Sequence, residues 1–219
     1  MIKYYCRDFE ILEAALSTRD NICIVIYILI AVTSGIAVKW LRLPRAKRAL
    51  VVIPAAILCI VTVTMPFENL FVTYSSLEDA FEYSCVGDIV ETADGSESSA
   101  VLYEEKVNVY KVFYAKKRGS GYKLSSSFAD KNYAEGRLFV KSLSVYATVY
   151  KVRGTSDFYL YVLTASSEKP ILSHSLGTEL VPIYESVGDG YVTTLIAAIE
   201  YSEDYRLYVN NSEVELIVK

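Results

Sequence analysis

Histidine is almost missing from this chain: there is one in 219 residues, His174. Cysteine is sparse, four residues with no Cys-x-x-Cys pair, and no EF-hand loop, phosphate-binding glycine loop or dinucleotide fingerprint occurs. Those gaps remove the commonest zinc, redox, calcium and nucleotide sites, which need clustered ligands or glycine-rich turns. Gly-x-Ser-x-Gly is absent too, so no nucleophile elbow is available to recruit a base. His174, between Ser173 and Ser175, reads as a loop residue. Glu104-Glu105 and Glu203-Asp204 read as solvated turn charges, although paired acids of the glycosidase kind are assembled by folding and leave no spacing to find. No catalytic residue, cofactor or metal ligand is therefore expected. One further gap is informative: no Lys or Arg lies between Arg48 and Lys106.

What the chain has in excess is apolar residues, 53% of the total, with a mean hydropathy of +0.27. They are unevenly placed. Residues 21–38 and 49–67 each run without a charge, 18 and 19 residues long. At 1.5 Å per residue each reaches roughly 27 Å, near the hydrocarbon thickness of a bilayer. Gly35 and Pro54, poor in a soluble helix, are tolerated there. Two core helices of a globular protein are the competing reading, but adjacent uncharged runs of this length are rare outside membranes. A cleaved signal peptide also competes, since Gly35-Ile36-Ala37 has the small-x-small form of a cleavage site. The preceding segment opposes it: residues 1–20 carry a net −1, where a signal peptide begins basic.

Orientation follows from charge. Residues 39–48 hold Lys39, Arg42, Arg45, Lys47 and Arg48 with no acid, a net +5, whereas residues 68–219 carry −8. The positive-inside rule places the basic loop in the cytoplasm. The expected organisation is an extracytoplasmic tail (1–20), a first span (21–38), the cytoplasmic loop (39–48), a second span (49–67) and an extracytoplasmic domain (68–219). Within the tail, Leu12, Ala15 and Leu16 have helical spacing suited to a short amphipathic helix on the outer membrane surface, with a frayed tail as the alternative.

The outer domain opens on a helix signal, Ser75-Ser76 before Glu78-Asp79 at capping-box spacing. The pattern then turns to period two. Strands are expected at 88–92, 99–104, 107–115, 137–152, 157–165, 179–185, 191–200 and 205–218, the last broken at Asn210-Asn211. Gly-bearing turns separate them, and Phe128 to Gly136 reads as a linker or short helix. This is a mostly antiparallel β domain, a sandwich or small barrel with minor helix, in which 86–124 and 137–219 form two halves without a fixed repeat.

The segments Ser76-Leu-Glu-Asp-Ala-Phe81, Asp88-Ile-Val-Glu-Thr92, Ala100-Val-Leu-Tyr103 and Asp204-Tyr-Arg-Leu-Tyr-Val-Asn-Asn211 carry a resemblance. They look like a recurring pattern in uncharacterised, membrane-anchored β-rich proteins of Gram-positive bacteria. The resemblance covers the outer domain, implies an extracytoplasmic placement and supplies no activity or site residue.

Sixteen of the 19 tyrosines fall in residues 74–208. Tyr110 and Tyr114 share a strand face, as do Tyr146 and Tyr150, and Tyr159 and Tyr161. Such faces suit a glycan or peptide surface, or cross-strand packing on a half-wet sheet, and packing is the favoured reading. Lys116-Lys117-Arg118 reads as a hairpin tip that can touch anionic lipid or wall polymer. Cys6 and Cys85 both lie outside, where either a disulfide or two separate thiols fits. Three functions are expected, in order. The first is a non-enzymatic, membrane-tethered module binding a protein partner or cell-surface polymer. The second is an accessory subunit whose spans pack on an integral-membrane partner through small residues such as Ser34, Gly35 and Ala37, or Ala55 and Ala56. The third is an extracytoplasmic hydrolase. The bilayer is a partner throughout, and acidity excludes nucleic acid.

Overall fold

The computed structural model describes residues 16–40, 44–107, 109–125, 130–177 and 180–219. The expected tail helix, Arg42 and Cys6 lie outside these residues. Two long helices come first, α1 (Thr18–Trp40) and α2 (Arg45–Thr64), packed side by side. Among the described residues α1 alone is long and apolar enough to cross a membrane. A helix of this kind near the N-terminus fits either a membrane span or a signal sequence. The basic segment is shorter as a loop than its charges suggest. Lys39 belongs to α1, and α2 starts at Arg45 directly after Pro44, whose extended backbone (ψ 154°) ends the connection.

A 3₁₀ turn (Phe67–Leu70) and α3 (Leu77–Ser84) lead into the β domain. The capping signal is realised: the Ser76 hydroxyl accepts from Asp79 N at 3.0 Å. The strands are β1 (Asp88–Asp94), β2 (Ser98–Lys106), β3 (Val109–Arg118), β4 (Gly121–Leu124), β5 (Asp130–Val140), β6 (Leu143–Val152), β7 (Phe158–Ser166), β8 (Leu172–His174), β9 (Ile183–Val187), β10 (Gly190–Ile199), β11 (Leu207–Val209), β12 (Ser212–Val214) and β13 (Ile217–Val218). Every pairing between them is antiparallel. They form an open four-stranded sheet β1-β2-β3-β4, a six-stranded sheet β13-β5-β6-β7-β10-β9 and a three-stranded sheet β12-β11-β8.

Strict alternation of side chains stacks these elements in layers. In β2, Val101 and Tyr103 face α3 with Leu77 and Phe81, while Ala100 and Leu102 face the six-stranded sheet with Tyr114, Tyr159 and Ile196. The six-stranded sheet divides in the same way. Tyr159 and Tyr161 of β7 point at the four-stranded sheet, and Leu160 and Val162 point at Leu172, Leu207 and Val209 of the three-stranded sheet. Both faces of the large sheet are covered.

Three expectations about the strands are corrected. The long strand 137–152 is a hairpin, β5 and β6, turning at Lys141-Ser142. Lys141 has φ +50°, and no Gly, Asn or Pro in the sequence marks the turn. The presumed linker or helix before Gly136 is the first half of β5, paired to β6 through a bulge between Asn132 and Ala134. β4 and β8 are strands that the sequence pattern does not announce, being four and three residues long. The two presumed halves correspond to one sheet and to two sheets, which accounts for the lack of a repeat.

The helices are joined firmly to the β domain. Arg19 Nε of α1 lies 3.3 Å from buried Glu68, which also accepts from the Tyr83 hydroxyl at 3.3 Å. Tyr74 stacks on Tyr83, and burial, reinforced by Glu68, pushes its hydroxyl up to about 12.

Candidate functional site: an aromatic row between two clefts

The tyrosine faces singled out in the sequence are mostly interior. Tyr114 and Tyr159 are buried between the four- and six-stranded sheets with ring centroids 5.6 Å apart, and Tyr150 sits 6.0 Å from Tyr114. The Tyr110 hydroxyl donates to the carboxylate of Glu185 on β9, and burial followed by that bond raises its pKa. Tyr146 lies beneath the Arg137 guanidinium, 5.4 Å from the ring centre. Tyr110, Tyr114, Tyr146 and Tyr150 therefore form no common exposed platform.

A different aromatic row packs against the core of the six- and three-stranded sheets, with Tyr133, Phe158 and Tyr201 half-buried. Tyr133 of β5, Phe158 of β7, and Tyr201 and Tyr205 after β10 follow one another with centroid spacings of 5.2 Å (Tyr133–Phe158), 5.4 Å (Tyr133–Tyr201), 5.6 Å (Phe158–Tyr201) and 5.6 Å (Tyr201–Tyr205). His174, the residue expected in a loop, is on β8 and buried, and its ring closes the row 5.5 Å from Tyr205. Four separate elements supply these rings, so no spacing in the sequence signals them. Lys131 and Lys151 stand over Tyr133 and Phe158 at 5.9 and 5.0 Å.

Tyr201 separates two open clefts. One, of about 710 Å³, is bounded by Tyr201, Tyr205, Glu203, Arg206, Glu213 and Leu216. The other, of about 520 Å³, is bounded by Asp94, Ser96, Asp157, Phe158, Glu200 and Tyr201. Arg206 is engaged along the first cleft: Nε lies 3.2 Å from Glu213 Oε1, and Nη1 donates to the carbonyl of Glu203 at 2.7 Å. Tyr205 is 3% exposed, burial raises its pKa, and its hydroxyl has no hydrogen-bond partner among the described residues. Burial, and next to it Tyr133, raises the Tyr201 hydroxyl as well.

Asp157 fixes the second cleft. Its carboxylate accepts from Ser96 N (2.9 Å), Glu97 N (2.9 Å), Ser96 Oγ (2.6 Å) and Ser98 Oγ (2.6 Å). Ser98 Oγ in turn lies 2.9 Å from the Tyr159 hydroxyl. Burial pushes the carboxyl up, but the bonds from Ser96 and Ser98 outweigh it and hold it below its ordinary value. Gly95 permits the approach, since a Cβ there would stand 2.6 Å from the Asp157 carboxyl. An acid so fully engaged binds the β1–β2 turn to the β6–β7 turn and has no proton to deliver near neutral pH.

The remaining sequence candidates are engaged elsewhere. Lys116 and Lys117 donate to the carbonyls of Arg153 and Gly95, tying the β3–β4 hairpin to neighbouring turns. Glu105 pairs with Lys111. Burial pushes the Cys85 thiol up to about 11, against a hydrogen bond with Tyr103. Among the described residues no three of His, Cys, Asp and Glu converge as a metal site.

The site and fold thus define a β-stack with two open clefts meeting at Tyr201, joined to a long apolar helix. No family model matches the chain, and neither curated proteins nor solved structures give a significant match.

Proposed function

We propose that the protein is a non-enzymatic, membrane-tethered binding module that holds a protein partner or cell-surface polymer at the Tyr201 surface. One observation carries this reading: half-buried Tyr201 of the aromatic row stands between the two open clefts, the second of which lies at the Asp94 end of β1. At the opposite end β1 begins at Asp88, shortly after α3. Rings with polar tips, flanked by carboxylates, suit an extended ligand that stacks and hydrogen-bonds at once. In this reading α1 and α2 are two spans. The side chains of Leu50, Ile53, Ile57 and Ile60 on α2 are 74, 57, 55 and 63% exposed, a surface that lipid covers well. The basic turn then faces the cytoplasm, and the N-terminus and β domain face outward.

The test uses the full chain purified from native membranes in mild detergent, with and without Tyr201→Ser. The variant is expected to lower retention of the partner or polymer by about tenfold while the β domain still melts cooperatively. Undiminished retention overturns the assignment of the surface.

A second reading has its own support. A Cβ built on Gly35 of α1 meets nothing within 4 Å, so this small-residue face is open to a neighbouring helix. An accessory subunit would lose a stoichiometric integral-membrane partner through Gly35→Leu and keep it through Tyr201→Ser.

A further inference from the structure

Between the end of α2 and the β domain the chain forms a short strap that is tied down on one side only. Asn69 grips β4 twice, its Nδ2 donating to the Leu124 carbonyl at 2.7 Å and its Oδ1 accepting from Leu124 N at 2.9 Å. Lys123 Nζ donates to the carbonyls of Asn69 and Val72. Tyr74 and Tyr122 exchange both backbone hydrogen bonds, at 2.9 and 2.8 Å. Phe71 N and Val72 N return to the carbonyl of Glu68, whose carboxylate meets Arg19 of α1. The strap therefore has no freedom to rotate its outer side chains inward. Those side chains are Leu70 and Phe71, 79 and 83% exposed, followed by Val72 at 41%. Met65 at the end of α2 is 60% exposed, and Leu16 just before α1 is 51% exposed. Residues 69–73 carry no charge, and Lys123 is the cation immediately behind them.

A rigid turn that presents two large apolar side chains to water, one strap away from an apolar helix, matches an element seated in the lipid interface. We propose that Leu70 and Phe71 form a membrane-dipping wedge that sits in the outer leaflet of a phospholipid bilayer and fixes the tilt of the β domain on it. The occupant is lipid, and the argument for it is continuity: the wedge lies six residues past α2 and is bonded through Glu68 to α1. This inference rests on the membrane-tethered reading. It adds that the β domain is held against the bilayer and is not swung on a loose linker.

Trp40, at the end of α1 and 85% exposed, is the chain's one tryptophan, which makes depth measurement direct. The full chain would be reconstituted in phosphatidylcholine vesicles brominated near the headgroup end of the acyl chains. Trp40 reports on the unaltered chain, and Trp40→Phe combined with Phe71→Trp reports on the wedge. Leu70→Trp in the same background is a second reporter. Both wedge reporters are expected to be quenched by the brominated lipid by about twofold or more and to be shielded from aqueous iodide. Quenching of Trp40 with iodide-accessible, lipid-insensitive reporters at 70 and 71 overturns the wedge and leaves the tether standing. Absence of lipid quenching at all three positions overturns the tether and the wedge with it.

Discussion

Asp157 accepts four hydrogen bonds through one carboxylate while 8% exposed, and its energetics follow from its charge. Asp157→Asn turns one oxygen into a donor facing other donors, and is expected to cost about 3 kcal/mol near pH 7. The pH dependence has a definite sign. A carboxyl whose folded pKa is depressed contributes stability above the unfolded value of about 3.9, and loses it as pH falls through the lower folded value. Melting followed by circular dichroism should therefore show the two proteins converging below about pH 4. A constant gap down to strongly acid pH would contradict this. Thr164 and Thr193 have the opposite character. They are cross-strand partners on β7 and β10, 1 and 0% exposed, and neither hydroxyl has a hydrogen-bond partner among the described residues. Thr164→Val removes that desolvated hydroxyl and keeps the β-branched shape. It should raise stability by about 1 kcal/mol, read as a higher melting temperature.

At the scale of elements, the β5–β6 hairpin shows where sequence pattern and backbone part company. Alternation continues across Lys141-Ser142 as if the strand did, because the turn is made by a lysine in the left-handed region at φ +50°. Such a conformation costs roughly 1 kcal/mol or more for a residue with a Cβ. Lys141→Gly is expected to recover about that amount, since the native conformation suits glycine, and urea unfolding would register it. A loss of stability would mean that the lysine side chain is doing more than turning the chain. By contrast the β11–β12 turn, Asn210-Asn211 with φ of 50° and 62°, uses residues that tolerate this region, and there the sequence announces the hairpin.

At the scale of the whole molecule, charge separates the two sides of the proposed membrane: +5 over residues 39–48 and −8 over residues 68–219. A cysteine placed at Ser96, in the β1–β2 turn, should react with an impermeant maleimide in intact cells, and one at Arg48 should react only after lysis. Labelling of position 48 in intact cells would reverse the topology. The strap through Asn69, Lys123 and Tyr74 ties the segment after α2 to β4, and Glu68 ties it to α1.

The sequence by itself determined which segments are apolar helices, the strands that begin near residues 88, 99, 157 and 191, the capped helix at Ser76 and the Asn-Asn hairpin. Each of these rests on interactions within a few residues, so local pattern suffices. Only the tertiary structure decided that the 128–136 region contributes to a strand, because Asp130 to Gly136 is polar and its pairing energy comes from β6. Tertiary structure alone also sorted the tyrosines. Alternation says that Tyr110, Tyr114 and Tyr150 lie on one face of their strands, but not whether another sheet covers that face. The aromatic row was illegible for the same reason: Tyr133, Phe158, Tyr201 and Tyr205 are brought to 5–6 Å spacings by contacts between strands far apart in the chain. Side-chain direction is a local property, whereas burial is a property of what packs on top.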